Sequence, residues 1–205
     1  MPFISRAKAE FTSQLASRVP LSKSVQKAFE QIDRAQFVSA GLAPYALDAL
    51  PMGANQWISS PITVAKMTMA LESGDSVLEI GCGSGYQAAI LSKLFRRVFT
   101  VERIERLLNE AKARFKNIGS INIHTKLADG HEGWSSYAPF DRILLSCEIG
   151  EIPQTLFDQL EPNGILVAPV NGKITKFRKY NSGRVIKEEL DNCLFVPMLK
   201  GVEKV

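Results

Sequence analysis

Apolar residues near the start of the chain recur at intervals of three and four. Ile4, Ala7, Phe11 and Leu15 predict a helix over residues 4–17, ended by Pro20. Val25, Ala28, Phe29 and Ile32 form a second stripe, opened by a cap at Ser22 or Ser24. Roughly residues 38–58 then show no period and are rich in Ala, Gly, Pro and Asn. A structureless connection of that length is uncommon inside a compact domain and points to function. Ser59-Ser60-Pro61 opens a third helix, with Pro61 at the first helical position and Ser60 as its cap. Val64, Met67, Thr68 and Leu71 carry it to Gly74.

Beyond that point the pattern alternates. A short apolar run (Val77, Leu78, Ile80) breaks at Gly81, Gly83 and Gly85, and helical spacing resumes with Tyr86, Ala89, Ile90 and Leu94. Residues 97–101 read as a strand ending at Glu102, 104–115 as a helix, and 121–127 and 140–145 as strands. A helix over 153–160 and a strand over 165–170 follow. Strand and helix in alternation imply an α/β fold, a parallel sheet with helices on both faces. From Lys173 the texture changes. KITKFRKY and RVIKEEL flank Asn181-Ser182-Gly183, a hairpin signal, and CLFVPML closes the chain. The expected organisation is one domain over 1–205: an N-terminal helical and active-site extension (1–73), a core (74–172) and C-terminal strands (173–205).

Composition narrows the classes. A chain of 205 residues, 45% hydrophobic and 22% charged, suits a soluble globular domain. No apolar run approaches the roughly 18 residues of a membrane span, and the N-terminus lacks the apolar core and cleavage site of a secretory signal. Cys82, Cys147 and Cys193 are scattered and form no C-x-x-C pair, which fits reduced thiols in a cytoplasmic protein. The net charge of +4 is dispersed over the chain with no block of like charge, so a solvated surface is expected rather than a nucleic-acid footprint.

The glycine run carries the first chemistry. A strand, a glycine turn and a helix bring backbone N–H groups to a nucleotide-like ligand, although a bare tight turn would look the same. A dinucleotide fingerprint has glycines at its first, third and sixth positions. Here Tyr86 takes the sixth, the third glycine comes one residue early, and Glu79 stands two residues before the first. Glu102, at a strand's carboxyl end, is placed to accept two ribose hydroxyls or to be a surface acid beside Arg103. Asp129-Gly130 reads as an ordinary turn, as a grip on an adenine amino group, or as both. Since Ser60 alone suffices as a cap, Ser59 is free to face a ligand. His124 and His131 have no second ligand at metal spacing. Gly83 stands where a nucleophile elbow has its serine. Cys82 and Cys147 read as small buried hydrophobes.

Taken together, the chain resembles the protein-L-isoaspartate (D-aspartate) O-methyltransferase family. The likeness rests on RAQFV (34–38), Tyr45, LDALPMG (47–53), QWIS (56–59) before Pro61, VLEIGCGSGYQAA (77–89) and VERI (101–104). ADGHEGW (128–134), APFDRI (138–143), EIP (151–153) and FVPM (195–198) continue it in order. The resemblance implies a Rossmann-like sheet dependent on S-adenosylmethionine (SAM), with N-terminal accessory helices and a C-terminal β addition. It assigns Glu79, Gly81, Gly83, Ser84, Glu102, Asp129 and Gly130 to the cofactor, with the adjoining Ile58, Cys82 and Arg103. Ser59 matches the family's active-site serine. Where the family has G-x-G-Q-T-I-S, this chain has Asn55 for a glycine and Trp57 for the threonine, and Ser146-Cys147-Glu148-Ile149 replaces a run of small residues. The implied reaction is methylation of the free α-carboxylate of L-isoaspartyl residues in damaged proteins or peptides, after which the ester collapses to a succinimide unaided. The 38–58 connection and the FVPM tail are expected to close over the peptide. No N/D-P-P-Y/F/W element follows the fourth strand, which argues against an amine acceptor. A methyltransferase with another acceptor, or a non-catalytic SAM-fold binding module, are the alternatives. The sequence specifies no oligomeric state.

Overall fold

The computed structural model describes the backbone of residues 2–204 and the side chains of 6–204, so Ile4 of the expected first stripe lies outside the described side chains. Helices α1 (Pro2–Arg18) and α2 (Lys23–Gln31) lead the chain, as the apolar stripes predict. Of the two candidate caps for α2, Ser22 does the work, its Oγ accepting from the Val25 N–H at 3.3 Å. A 3-10 turn (Arg34–Gln36) follows.

The 38–58 connection is not structureless. It contains a small antiparallel hairpin, β1 (Leu50–Met52) and β2 (Gln56–Ile58), with Met52 opposite Gln56. The runs are too short to show a period of two, so the alternation that marks strands had no room to appear. Helix α3 (Pro61–Leu71) begins as expected, with Ser60 Oγ accepting from the Thr63 N–H at 3.1 Å and Pro61 in the first turn.

The core follows as β3 (Ser76–Ile80), α4 (Tyr86–Leu91), β4 (Arg97–Glu102), α5 (Glu105–Asn117), β5 (Ile123–Leu127), β6 (Phe140–Leu145), α6 (Gln154–Asp158), β7 (Leu160–Val170), β8 (Lys173–Lys179) and β9 (Val185–Asn192). Seven strands form one sheet in the order β5-β4-β3-β6-β7-β8-β9. The pairings from β5 to β7 are parallel, but β7–β8 and β8–β9 are antiparallel. The sheet is therefore mixed, because two-residue and hairpin connections return the chain at once, whereas a parallel neighbour needs a crossover.

Alternate residues of the strands feed two apolar clusters. On β7, Ile165 and Val167 join one and Leu166 and Ala168 the other. The first cluster takes residues from α1 to α5, among them Leu15, Phe29, Leu71, Ala89 and Phe115. Helices on both faces were expected, but the second face carries one short helix, α6, through Leu156. The rest is covered by two 3-10 turns between β5 and β6 (Gly130–Glu132 and Ser135–Tyr137), where Trp134 and Tyr137 set their rings 5.6 and 4.7 Å from that of Phe99. Aromatic rings there cover the area a helix would bury. No helix of the described residues is long and apolar enough to cross a membrane.

Candidate active site

From β3 the chain steps outward to β4 and β5, then returns to place β6 on the other side of β3. The carboxyl end of β3 is thus the point where strand order reverses, and a crevice opens there. The glycine turn occupies it. The Gly81 and Cys82 N–H groups both donate to the Val101 carbonyl, at 2.9 and 3.1 Å, which pins the turn to β4. Gly81, Gly83 and Gly85 all have positive φ, a region L side chains disfavour. At Gly85 there is no room either, since a Cβ would lie 2.7 Å from the Phe115 ring of α5.

Two carboxylates face the same crevice. Glu79 is fully buried on β3 and accepts from Thr100 Oγ1 at 2.6 Å and Ser146 Oγ at 3.2 Å. Burial pushes its carboxyl up to about 8, against the pull of those two hydroxyls and with help from nearby Glu102. Glu102 accepts from Gly83 N–H at 2.8 Å through one oxygen and from the Arg103 and Ile104 N–H groups at 2.8 and 3.0 Å through the other. A carboxylate has about four acceptor positions, so capacity remains for a ligand hydroxyl.

Ser59 lies between β2 and α3, where its neighbour Ser60 spends its hydroxyl on the helix cap. Among the described residues the Ser59 hydroxyl has no hydrogen-bond partner, and it lines the crevice with Ile58, Glu79, Gly81, Cys82, Gly83, Ser84, Glu102, Arg103 and Gly130. Trp57 also lines it and is 57% exposed. Cys82 and Cys147 are buried and unpaired, and desolvation raises both thiols, Cys147 to about 12.

Asp129 is the one expected residue that does not line the crevice. Its Oδ1 accepts from the His131 N–H at 2.9 Å, and its Oδ2 accepts from the Gly201 N–H at 2.6 Å. Burial raises its pKa, but these bonds and the His131 ring outweigh burial and hold the carboxyl below its ordinary value. Gly130 does reach the crevice, and a Cβ there would lie 2.4 Å from Ile80 Cγ2 and 3.0 Å from Met198 Cε.

The C-terminal tail forms the remaining wall, where residues 195–199 line the crevice. Backbone bonds hold it: Val196 O accepts from Glu148 N–H and Glu148 O from Met198 N–H, both at 2.8 Å. Glu203 exchanges further bonds with Arg103 O and Glu105 N–H at 2.8 and 2.9 Å. Sequence reasoning missed Thr100 and Ser146 as partners of Glu79. Neither carries a periodic or motif signal, and only pairing of β3 with β4 and β6 brings them to it.

A mixed seven-stranded sheet that reverses order at β3, with a glycine turn after that strand and an acid closing the next, has the Rossmann-like fold of the SAM-dependent methyltransferases. Two solved structures share it: one named protein-L-isoaspartate O-methyltransferase (TM-score 0.85, 24% identity, covering 96% of this chain and 67% of the other), and a putative one from Plasmodium falciparum in complex with S-adenosyl-L-homocysteine (TM-score 0.80, 20% identity, 94% and 98%). The sequence model of the protein-L-isoaspartate(D-aspartate) O-methyltransferase family (PCMT) matches residues 6–203, and the chain belongs to that family. It is 53% identical over 198 residues to the protein-L-isoaspartate O-methyltransferase of Helicobacter pylori (strain G27), covering 93% of this chain and 95% of that one. It is 44% identical over 188 residues to that of Paramagnetospirillum magneticum (strain ATCC 700264 / AMB-1), covering 87% of each.

Proposed function

We propose that this chain methylates the free α-carboxylate of L-isoaspartyl residues in damaged proteins and peptides, with SAM as donor, and so starts their repair. The observation that carries the reading is Ser59: a serine with an unengaged hydroxyl on the wall of the crevice that holds the glycine turn and both buried acids.

The residues fit the cofactor. The glycine turn leaves backbone rather than large side chains on one wall, and Glu102 brings acceptors and negative charge suited to a hydroxyl-bearing cation, while Glu79, its carboxyl pushed up to about 8 by burial, offers an uncharged polar group beside it. Bound SAM supplies a methyl group on a sulfonium, an electrophile for a carboxylate oxygen. Glu102 is assigned to its ribose hydroxyls, and Gly81, Cys82, Gly83, Ser84, Ile58, Arg103 and Gly130 to the surrounding walls. Asp129 holds the turn after β5 and the tail in place, and its own carboxylate keeps the adenine assignment through the lone pairs left free by the His131 N–H, the His131 ring at 2.7 Å and the Gly201 N–H.

The acceptor carboxylate is already ionised at neutral pH, so the chain needs no strong general base. Its work is placement. The Ser59 hydroxyl donates to the acceptor carboxylate and aligns one of its oxygens with the methyl group, a contribution of proximity and orientation. Phe195 to Leu199 and Gln56 to Ile58 line the crevice, and exclusion of water is assigned to these segments with the peptide bound between them. Because opposite charges neutralise as the methyl moves, a dry crevice favours the transition state. The substrate reading is a peptide, with no nucleic acid or membrane partner, and the three free cysteines support a reducing, cytoplasmic setting.

Incubation with methyl-labelled SAM and either an isoaspartyl peptide or its normal-aspartyl twin tests the reading. Base-labile label on the first alone is expected. Label on neither, with SAM still bound, would make the chain a binding module, and label on an RNA or small molecule instead would assign another acceptor. Ser59→Ala is expected to lower turnover far more than cofactor affinity, and an unchanged rate would remove Ser59 from the reaction.

A further inference from the structure

Arg34 is wholly buried, at 0% exposure, yet no carboxylate lies within ion-pairing distance of it among the described residues. Its guanidinium instead donates to four main-chain carbonyls. Nη1 reaches Pro44 O at 3.0 Å and Ala46 O at 2.8 Å, and Nη2 reaches Asp48 O at 3.0 Å and Ser59 O at 3.3 Å. Nε has no partner. The guanidinium carbon sits 5.8 Å above the ring of Tyr86, the residue that opens α4 directly after the glycine turn. Desolvation lowers the pKa of Arg34, with Tyr86 and Asp48 opposing it.

A buried cation without an anionic partner is expensive. An apolar side chain of the same size would fill the space at less cost, so packing alone does not account for an arginine. What a guanidinium adds is a rigid planar fork with donors in fixed directions. Three of its carbonyl partners come from the otherwise irregular stretch before β1, and the fourth belongs to Ser59. The base of the fork is fixed as well: Asp33 Oδ1 accepts from Ala35 N–H at 3.0 Å and from the Tyr45 hydroxyl at 2.9 Å, tying the turn that carries Arg34 to the stretch it organises.

We propose that Arg34 is a positioning residue for catalysis: it sets the main chain of Ser59 and, through the Tyr86 ring, keys the acceptor-side segment to the cofactor-side turn. The inference rests on the reading of Ser59 as the acceptor-binding serine. Lysine has one nitrogen and three donors, and no planar fork, so it cannot serve four carbonyls spread over residues 44 to 59. A displacement of about 1 Å at the reacting groups costs on the order of 100-fold in rate.

Four proteins test it: wild type, R34K, S59A and the double variant, each assayed for isoaspartyl-peptide methylation and for S-adenosylhomocysteine affinity. R34K is expected to lower kcat on the order of 100-fold with cofactor affinity unchanged. The double variant is expected to be no slower than the slower single one, because Arg34 acts through Ser59. Losses that multiply in the double variant, or R34K turning over at the wild-type rate, would overturn the proposal. If R34K does not fold, R34Q, which keeps two N–H donors on an uncharged stem, carries the same comparison. S59A turning over at the wild-type rate would instead strike the reading of Ser59, a result visible without any Arg34 variant.

Discussion

Glu79 titrates against the grain of an ordinary carboxyl. Burial pushes it up to about 8 in the folded chain, whereas an unfolded glutamate titrates near 4.3. The folded state therefore binds the proton more tightly. That contribution to stability is complete below about pH 4 and is lost as pH rises through about 8. Thermal melts between pH 5 and 9 should show wild type losing stability more steeply than Glu79→Gln, and parallel curves would refute the assignment. The β1–β2 hairpin makes a second residue-scale case. Ala54 and Asn55 both have positive φ, 59° and 53°. Asparagine accepts that region at little cost, so it replaces a family glycine without loss of the turn. Alanine does not, and Ala54→Gly should stabilise the protein by about 0.5–1 kcal/mol in denaturant melts. Asn55 could be seen in the sequence as a departure, but the backbone conformation that excuses it could not, since a three-residue loop leaves no periodic trace.

At the scale of elements, the crevice is walled by two segments with little regular structure, the hairpin and the tail. Both were legible in the sequence as segments, and their anchors were not. The tail is fastened by main-chain bonds to Glu148, Asp129, Arg103 and Glu105, and main-chain donors leave no signature in side-chain pattern. Asp129 shows the consequence: its Asp-Gly motif read as a turn, an adenine grip or both, and the fold adds a clamp on Gly201 that neither reading contained. Truncation after Lys200 removes that clamp and the Glu203 bonds while leaving Phe195 to Leu199. S-adenosylhomocysteine affinity measured by calorimetry should fall about tenfold, equivalent to about 1.4 kcal/mol, with the melting midpoint lowered by no more than about 4 °C. Equal affinity in the truncated chain would show that the tail's outer anchors do not shape the site.

For the molecule as a whole, the crevice is bounded by the β2 strand and Ser59, by the sheet's centre and by the C-terminal tail, so a ligand that fills it ties distant segments together. S-adenosylhomocysteine at 100 times its dissociation constant should add about 2.7 kcal/mol of stability, a rise of roughly 5–11 °C in melting midpoint for a chain of this size. No rise would mean that the crevice does not bind it. Period, caps and glycine spacing by themselves determined the helices α1 to α3, the strand–turn–helix at β3, and the acid at the end of β4, because each depends on neighbours within a few residues in sequence. The Asn181-Ser182-Gly183 signal likewise marked the antiparallel pairing of β8 with β9. Tertiary structure alone decided the hydroxyl partners of Glu79, the clamp at Asp129 and the four carbonyls gathered by Arg34. These depend on groups 10 to 72 positions apart meeting in space, and a side chain's reach across the fold is written in no local pattern.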